Sequence, residues 1–133
     1  MREPLFPPIE AIIALHLELL EEHGGAGGLR DRGALEMSFA RPHQIMAYTD
    51  GHVTVFDLAA ALCASILRNH PFVDGNKRAG FLALGMMLGI NGFYLDASER
   101  EAAEVVLSLA AGAMTEEVFR DWVAEHSYEV ESP

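Results

Sequence analysis

Apolar residues recur three and four positions apart along most of the chain, which is the spacing of amphipathic helices. The first such run covers residues 8–23. Pro8 suits the first turn of a helix, and the pair Gly24–Gly25 is typical of a helix end. The same pattern returns in later segments. It predicts an all-α fold, a compact bundle of six or seven helices.

Capping residues and breakers divide the remaining chain into further helices. The predicted segments are a helix from the cap Asp31 to Arg41, ended by Pro42; a short helix over 43–48; a helix to about Arg68 with a capping box of Thr54 and Asp57; a helix with a capping box of Ser98 and Glu101; and a last helix capped by Thr115. No linker or repeat separates them, so residues 1–133 are predicted to form one domain.

A helix over about 76–91 stands out because it is apolar nearly all round. Such a helix is expected at the centre of a core, so it is predicted to be the buried central helix. Asn76 is its expected cap, and Asn91–Gly92 is an ordinary stop. Its glycines lower the intrinsic stability of the helix. We expect them to be present because they allow neighbouring helices to approach closely. These glycines are Gly80, Gly85 and Gly89.

Charge narrows the classes of partner. The formal net charge is −11, which excludes nonspecific nucleic-acid binding because that requires cations on phosphates. The acidity is uneven, since residues 96–133 carry 10 Asp and Glu against 2 Lys and Arg. The basic residues gather in the middle of the chain. A small cationic site in an acidic protein fits a small phosphorylated ligand better than a polymer.

The single cysteine, Cys63, excludes an intramolecular disulfide and makes a cytoplasmic location the default expectation. Cys63 lies on an apolar helical stretch and is interpreted as a core residue, not a nucleophile. The longest apolar run, residues 79–90, is too short to span a membrane. No membrane association is therefore expected.

Candidate chemistry concentrates in residues 69–80, NHPFVDGNKRAG. Pro71 disfavours helix at the residue before it, so His70 is predicted to lie on a loop. Lys77, the only lysine of the chain, and Arg78 follow at a helix start. That end of a helix carries partial positive charge, so two cations there indicate an anion supplied from outside, most naturally a phosphate.

The residue types of this loop suit phosphate transfer. His70 can take a proton from an attacking hydroxyl, and Asp74 is a hard oxygen ligand for Mg²⁺. Gly75, Asn76, Lys77 and Arg78 can surround phosphate oxygens, which stabilises the charge that phosphoryl transfer develops. The residues alone leave a second interpretation open, in which Asn76 caps an exposed helix end with basic neighbours. Zinc is excluded because no other histidine or cysteine has ligand spacing to His70.

Three neighbouring features have simpler interpretations. His16 lies on the apolar stripe of the first helix and is interpreted as a core histidine. The glycine-rich segment 24–30 is a loop and not a phosphate loop, because no strand precedes it and no G-K-S/T follows. Arginines flank the second predicted helix, and at least one is expected to reach the central loop. They are Arg30, Arg32 and Arg41.

The motif HPFVDGNKR resembles the core motif of the Fic/Doc family, H-x-F-x-D/E-G/A-N-G/K-R. Lys77 stands where Fic AMP-transferases have glycine, and Phe81 where they have a second arginine, which is the pattern of the Doc, or death-on-curing, branch. Segment 24–42, GGAGGLRDRGALEMSFARP, and the turn Asn91–Gly92–Phe93 also resemble family features.

This resemblance implies an all-helical Fic fold and a toxin of a toxin–antitoxin pair. The implied activity is transfer of the ATP γ-phosphate to a hydroxyl of elongation factor Tu, which inhibits translation. His70 would be the base, Asp74 the Mg²⁺ ligand, and Gly75, Asn76, Lys77 and Arg78 the phosphate cradle. Phe72 would anchor the loop in the core.

Two alternatives remain at this stage: transfer of AMP, as in Fic relatives, and a non-catalytic domain that only binds a nucleotide or antitoxin. Lys77 adds bulk and charge where Fic proteins bind the nucleotide. The nucleotide is therefore expected to bind differently and to expose its terminal phosphate rather than its α-phosphate, which favours phosphate transfer over AMP transfer. No inhibitory motif is found within the chain, so the expected regulator is a separate antitoxin.

Overall fold

A computed structural model describes residues 3–25, 27–50 and 52–130. These residues form a helical bundle with one small antiparallel sheet, and the predicted all-α, Fic-like fold class is confirmed. The elements in chain order are α1 (Ile9–His23), α2 (Arg32–Tyr48), α3 (Val55–Asn69), α4 (Asn76–Ile90), β1 (Phe93–Leu95), α5 (Glu99–Ala110), α6 (Glu116–His126) and β2 (Ser127–Glu129). Within the same ranges, no helix is long and apolar enough to cross a membrane.

Helix α3, and not α4, is the most buried helix of the bundle. Every residue from Leu58 to Leu67 on α3 is buried, because α2, α4 and α6 pack around it. Helix α4 buries one face, while Gly85, Gly89 and Ile90 are exposed. The placement of the buried central helix at 76–91 was therefore wrong. The prediction counted the glycines on the exposed face of α4 as apolar core residues. The alanines of α3 are small, so neighbouring helices can pack closely around that helix on all sides.

One glycine of α4 provides the predicted close approach between helices. A Cβ on Gly80 would lie 3.3 Å from both the backbone oxygen and the Sγ of Cys63 on α3. A Cβ on Gly85 or Gly89 would meet nothing within 4 Å. The prediction is thus confirmed for Gly80 and wrong for the other two.

Helix α2 continues through Pro42, which corrects the predicted end at Arg41 and the separate helix over 43–48. Proline removes one backbone donor from a helix. Here Pro42 is buried, and Ile45 and Met46 in the following turns pack against the core. The free energy gained by burying these turns offsets the loss of one backbone hydrogen bond, so the helix continues past Pro42.

Side-chain caps begin four of the helices, as predicted for α2, α3, α5 and α6. The capping box of Thr54 and Asp57 is complete in both directions. At α5 only half of the predicted box forms, because Ser98 accepts the Glu101 backbone N–H. The Glu101 carboxylate instead accepts the indole N–H of Trp122.

The two-stranded sheet was not predicted. Strands β1 and β2 pair antiparallel, with Phe93 opposite Glu129, Tyr94 opposite Tyr128 and Leu95 opposite Ser127. Three-residue strands are too short to show an alternating pattern. The sheet ties the chain after α4 to the chain after α6. Residues 131–133 lie outside the described ranges.

Candidate active site

The loop from His70 to Gly75 joins the end of α3 to the start of α4. His70 is the C-cap residue of α3 and has left-handed backbone angles, φ 48° and ψ 58°. This confirms that His70 leaves the helix before Pro71. Non-glycine residues seldom adopt this conformation, and such strain is found at functional sites where surrounding contacts maintain it.

The glycine-rich segment supplies those contacts. The Arg30 side chain donates from Nε to the His70 carbonyl at 2.7 Å and from Nη2 to the Asn69 carbonyl at 3.0 Å. The backbone N–H groups of Arg30 and Asp31 both donate to the Pro71 carbonyl, at 2.8 and 3.0 Å. Arg30 is thus the arginine that reaches the central loop, and the segment acts as a clamp on it.

The clamp continues along the next residues as a short pairing of two extended segments. The Val73 N–H donates to the Gly28 carbonyl at 3.1 Å, and Leu29 forms an antiparallel bridge with Phe72. The segment interpreted from the sequence as a plain loop therefore has a positioning role.

Phe72 anchors the loop from below, as the resemblance implied. Its side chain is 2% exposed and stacks on the ring of His16, with ring centroids 3.9 Å apart and planes at 22°. His16 is itself buried, and its Nε2 lies 2.8 Å from the Asp74 carbonyl oxygen. The histidine interpreted as a core residue is thus part of the support of the loop.

Asn76 is not the cap of α4, because Gly75 occupies that position with φ 74°. The Asn76 side chain instead binds both backbone groups of Phe72: Oδ1 accepts its N–H and Nδ2 donates to its carbonyl, each at 3.0 Å. Nδ2 also lies 3.4 Å from Nδ1 of His70. This contact is long, so it orients the imidazole weakly and does not fix its tautomer.

Asp74 presents its carboxylate to solvent at the edge of the loop. Oδ1 accepts the Gly75 N–H at 2.8 Å. A Cβ on Gly25 would lie 3.0 Å from Oδ2, so only glycine leaves that oxygen its present room. In the described ranges no three His, Cys, Asp or Glu side chains could hold a metal together. One accessible carboxylate fits Mg²⁺, which takes its other ligands from nucleotide phosphates and water.

The N-terminus of α4 differs from the other helix starts in the described ranges. Helices α2, α3, α5 and α6 have side-chain caps, and α1 carries Glu10 in its first turn. Helix α4 has neither a side-chain cap nor an acidic residue in its first turn. Lys77 and Arg78 lie there instead, and both are exposed. The first turn of α4 therefore supplies no negative charge of its own, and the Asp74 carboxylate just before it accepts the N–H of the cap residue Gly75.

The ion pairs of the protein show the same local imbalance. Arg32, Arg41, Arg100 and Arg120 pair with carboxylates. Among the residues with described positions, the cations without a carboxylate partner are Arg30, Arg68, Lys77 and Arg78. All four belong to the central loop and its flanks or contact it. Among the described residues, the unpaired positive charge thus lies in the central loop, beside it in the sequence, or in contact with it.

The sequence of this chain is similar to those of known proteins. Residues 6–88, more than half of the chain, match the sequence profile described as the Fic/DOC family. The chain is 39% identical over 98 residues to Toxin Doc of Mycolicibacterium smegmatis, and this match covers 74% of the chain and 71% of that toxin. The chain belongs to the Fic/DOC family. The resemblance to its Doc branch is thereby confirmed.

The Fic/DOC motif residues identified from the sequence lie on one loop and the first turn of α4. His70, Asp74, Gly75, Asn76, Lys77 and Arg78 occupy this short stretch. Sequence reasoning missed the supporting roles of His16 and Gly25, because both contact the loop from distant positions in the chain. The arginines that flank the second predicted helix were the signal that included Arg30, but the sequence did not distinguish it from Arg32 and Arg41.

Cys63 takes no part in this site. It is fully buried on α3, and burial raises the pKa of its thiol to about 12. A thiol with that pKa is not a nucleophile near neutral pH. The interpretation of Cys63 as a core residue is confirmed.

Proposed function

We propose that this protein is a Doc-like toxin of a toxin–antitoxin system that transfers the terminal phosphate of ATP to a hydroxyl group of a protein. Membership of the Fic/DOC family and the similarity to Toxin Doc support the toxin assignment. Elongation factor Tu is the proposed target, and inhibition of translation is the proposed result. The protein would act in the cytoplasm, with a cognate antitoxin as partner.

One observation carries the proposal that the site binds phosphate. The first turn of α4 has no cap and no acid, and it presents exposed Lys77 and Arg78. Backbone N–H groups at a helix start favour an anion, and the two cations add to that preference. Without a bound anion these charges repel one another. A nucleotide's phosphates would remove that repulsion and bind at the same time.

The proposed reaction assigns each residue a role. His70 takes the proton of the attacking hydroxyl while its oxygen forms a bond to the γ-phosphorus. The bond between that phosphorus and the β–γ bridging oxygen breaks, and ADP leaves. Lys77 and Arg78 stabilise charge on the phosphate oxygens. Asp74 would hold Mg²⁺, which when bound neutralises phosphate charge.

Lys77 favours the terminal phosphate over AMP as the transferred group. Its side chain lies at the second position of α4, where a glycine would leave the helix start open. The added bulk and charge favour a nucleotide placed with its terminal phosphate toward His70. Transfer of AMP is the alternative outcome of the experiment below.

Expression in a bacterial host tests the proposal. Wild type is expected to arrest growth, and His70→Ala is expected to abolish arrest because the base is lost. His52→Ala is the matched control, since His52 is an exposed histidine before α3, at the opposite end of that helix from His70. Co-expression of the cognate antitoxin should restore growth of the wild-type strain.

Lysates of the strains that express wild type or His70→Ala are then incubated with ATP labelled at either the α- or the γ-phosphate. The label found on protein identifies the transferred group. Label from γ-phosphate on a protein band supports phosphate transfer, whereas label from α-phosphate supports AMP transfer. If His70→Ala is as toxic as wild type, the role of His70 as base is wrong. If wild type neither arrests growth nor labels any protein, the proposed function is wrong.

A further inference from the structure

His16 is a buried histidine that the proposed reaction does not use. It lies on α1 and is 3% exposed. Its Nε2 is 2.8 Å from the carbonyl oxygen of Asp74, 58 positions later in the chain. A buried polar side chain is retained in a core when its hydrogen bond fixes a particular structure. Here the hydrogen bond ends on the peptide that follows the candidate metal ligand.

The chemistry of this contact fixes the tautomer of His16. A carbonyl oxygen can only accept a hydrogen bond, so Nε2 must carry the proton and donate it. At the other end of the same peptide unit, the Gly75 N–H donates to Oδ1 of Asp74 at 2.8 Å. The peptide between Asp74 and Gly75 is thus held at both its oxygen and its nitrogen.

This held peptide determines how the Asp74 carboxylate is presented. Because the Gly75 N–H occupies Oδ1, Oδ2 is the oxygen directed to the space beside Gly25. Rotation of the peptide would remove the donor from Oδ1 and leave the Nε2–H of His16 buried without a partner. The orientation of the carboxylate is therefore linked to the hydrogen bond of His16.

The fit between His16 and the loop is close. A Cβ on Gly75 would lie 3.0 Å from Nε2 of His16. The ring also stacks on Phe72, the buried anchor of the loop. His16 therefore contacts the loop by its face and by its ring nitrogen, and the two contacts fix different parts of it.

We propose that His16 is a positioning residue whose Nε2–H holds the Asp74–Gly75 peptide and so presents Asp74 to a nucleotide-bound divalent cation. The metal-binding role of Asp74 rests on the proposed function. The hydrogen bond and its effect on the loop do not, and they are measured on the protein alone.

Three variants separate the hydrogen bond from the packing. His16→Phe keeps a ring that can stack on Phe72 but has no donor. His16→Gln restores an N–H donor on a side chain of similar reach. His23→Phe is the control on the same helix, because His23 is exposed and binds only the Leu19 carbonyl one turn earlier.

Spectroscopy and calorimetry provide the measurements. A ¹H–¹⁵N spectrum of the imidazoles should show His16 of the wild type with its proton on Nε2. The Gly75 amide resonance should shift in His16→Phe, return toward wild type in His16→Gln, and stay unchanged in His23→Phe. Affinity for Mg²⁺ with a non-hydrolysable ATP analogue should fall about tenfold in His16→Phe, as for other side chains that orient metal ligands. Its thermal unfolding midpoint, compared with that of His16→Gln, shows whether the change in affinity accompanies a loss of stability.

A neutral His16 with its proton on Nδ1 would overturn the proposal. So would a His16→Phe protein with an unchanged Gly75 resonance and unchanged Mg²⁺–nucleotide affinity. If His16→Phe fails to fold, the proposal is decided by the tautomer of His16 in the wild type and by the Gly75 amide resonance of His16→Gln. If the wild type binds the analogue as expected but transfers no phosphate to any protein, the proposed function fails while the positioning role stands.

Discussion

Arg30→Gln is the substitution that most sharply tests how the loop conformation is maintained. The guanidinium donates to the carbonyls of Asn69 and His70, at the negative end of α3. His70 has left-handed backbone angles that an unrestrained histidine rarely adopts. Removing the guanidinium releases both carbonyls, so the fold should lose stability and His70 should leave its present conformation more often.

The size of the effect follows from these two contacts. A hydrogen bond from a charged donor contributes about 1.5–3 kcal/mol when it is buried. Because Arg30 is exposed, solvent screening reduces this, and we expect a loss of about 1–2 kcal/mol in the free energy of unfolding. A left-handed residue costs about 1–2 kcal/mol, so loss of the restraint should deplete the active loop conformation about tenfold.

The assay is urea unfolding combined with the rate of phosphate transfer to the target. Arg32→Gln is the matched control, because Arg32 lies two positions away and forms an exposed ion pair with Glu10. Exposed ion pairs contribute little to stability, so this variant should unfold and react like wild type. Equal losses in both variants would refute the reasoning. An Arg30→Gln protein that is less stable but fully active would show that Arg30 does not position His70.

Three further outcomes are expected. Gly25→Ala should weaken Mg²⁺–nucleotide binding, because its Cβ would lie 3.0 Å from Oδ2 of Asp74, the candidate metal ligand. Gly24→Ala is the control: Gly24 also has a positive φ, but its Cβ would meet nothing within 4 Å, so the variant should only lose stability. Calorimetry measures the binding, and thermal unfolding measures the stability. Gly85→Ala should raise the free energy of unfolding by up to about 1 kcal/mol, while Gly80→Ala should not, because its Cβ would crowd the α3 backbone; equal gains would contradict this packing. Burial acts to raise the pKa of Asp57, but hydrogen bonds from Thr54 and Arg120 outweigh it, so the pKa of Asp57 is lowered. Wild type should therefore be more stable than Asp57→Asn at pH 7, and this difference in the free energy of unfolding should disappear as the pH falls below about 3.9. A difference that persists in acid would contradict the assignment.

Local sequence patterns predicted most of the helices and the loop that carries the candidate site residues. Apolar spacing and caps such as Thr54 are encoded within a few residues, so they can be read directly. The loop was predictable because Pro71 forces His70 out of the helix and the charged residues follow immediately.

The remaining features depend on contacts between distant segments. His16 reaches Asp74 across 58 positions, and Arg30 reaches His70 across 40, so neither partner shows in a local pattern. The choice between α3 and α4 as the enclosed helix depends on which neighbours cover each face. Hydrophobicity counts an exposed glycine such as Gly85 as apolar, which is why the prediction favoured α4.

The central claim is that the His70 site transfers the terminal phosphate of ATP to a protein hydroxyl. The most direct test incubates the purified protein with Mg²⁺–ATP and elongation factor Tu and measures the intact mass of the target. The account predicts the addition of one phosphate by wild type and none by His70→Ala. Addition of AMP, or equal addition by both proteins, would contradict it.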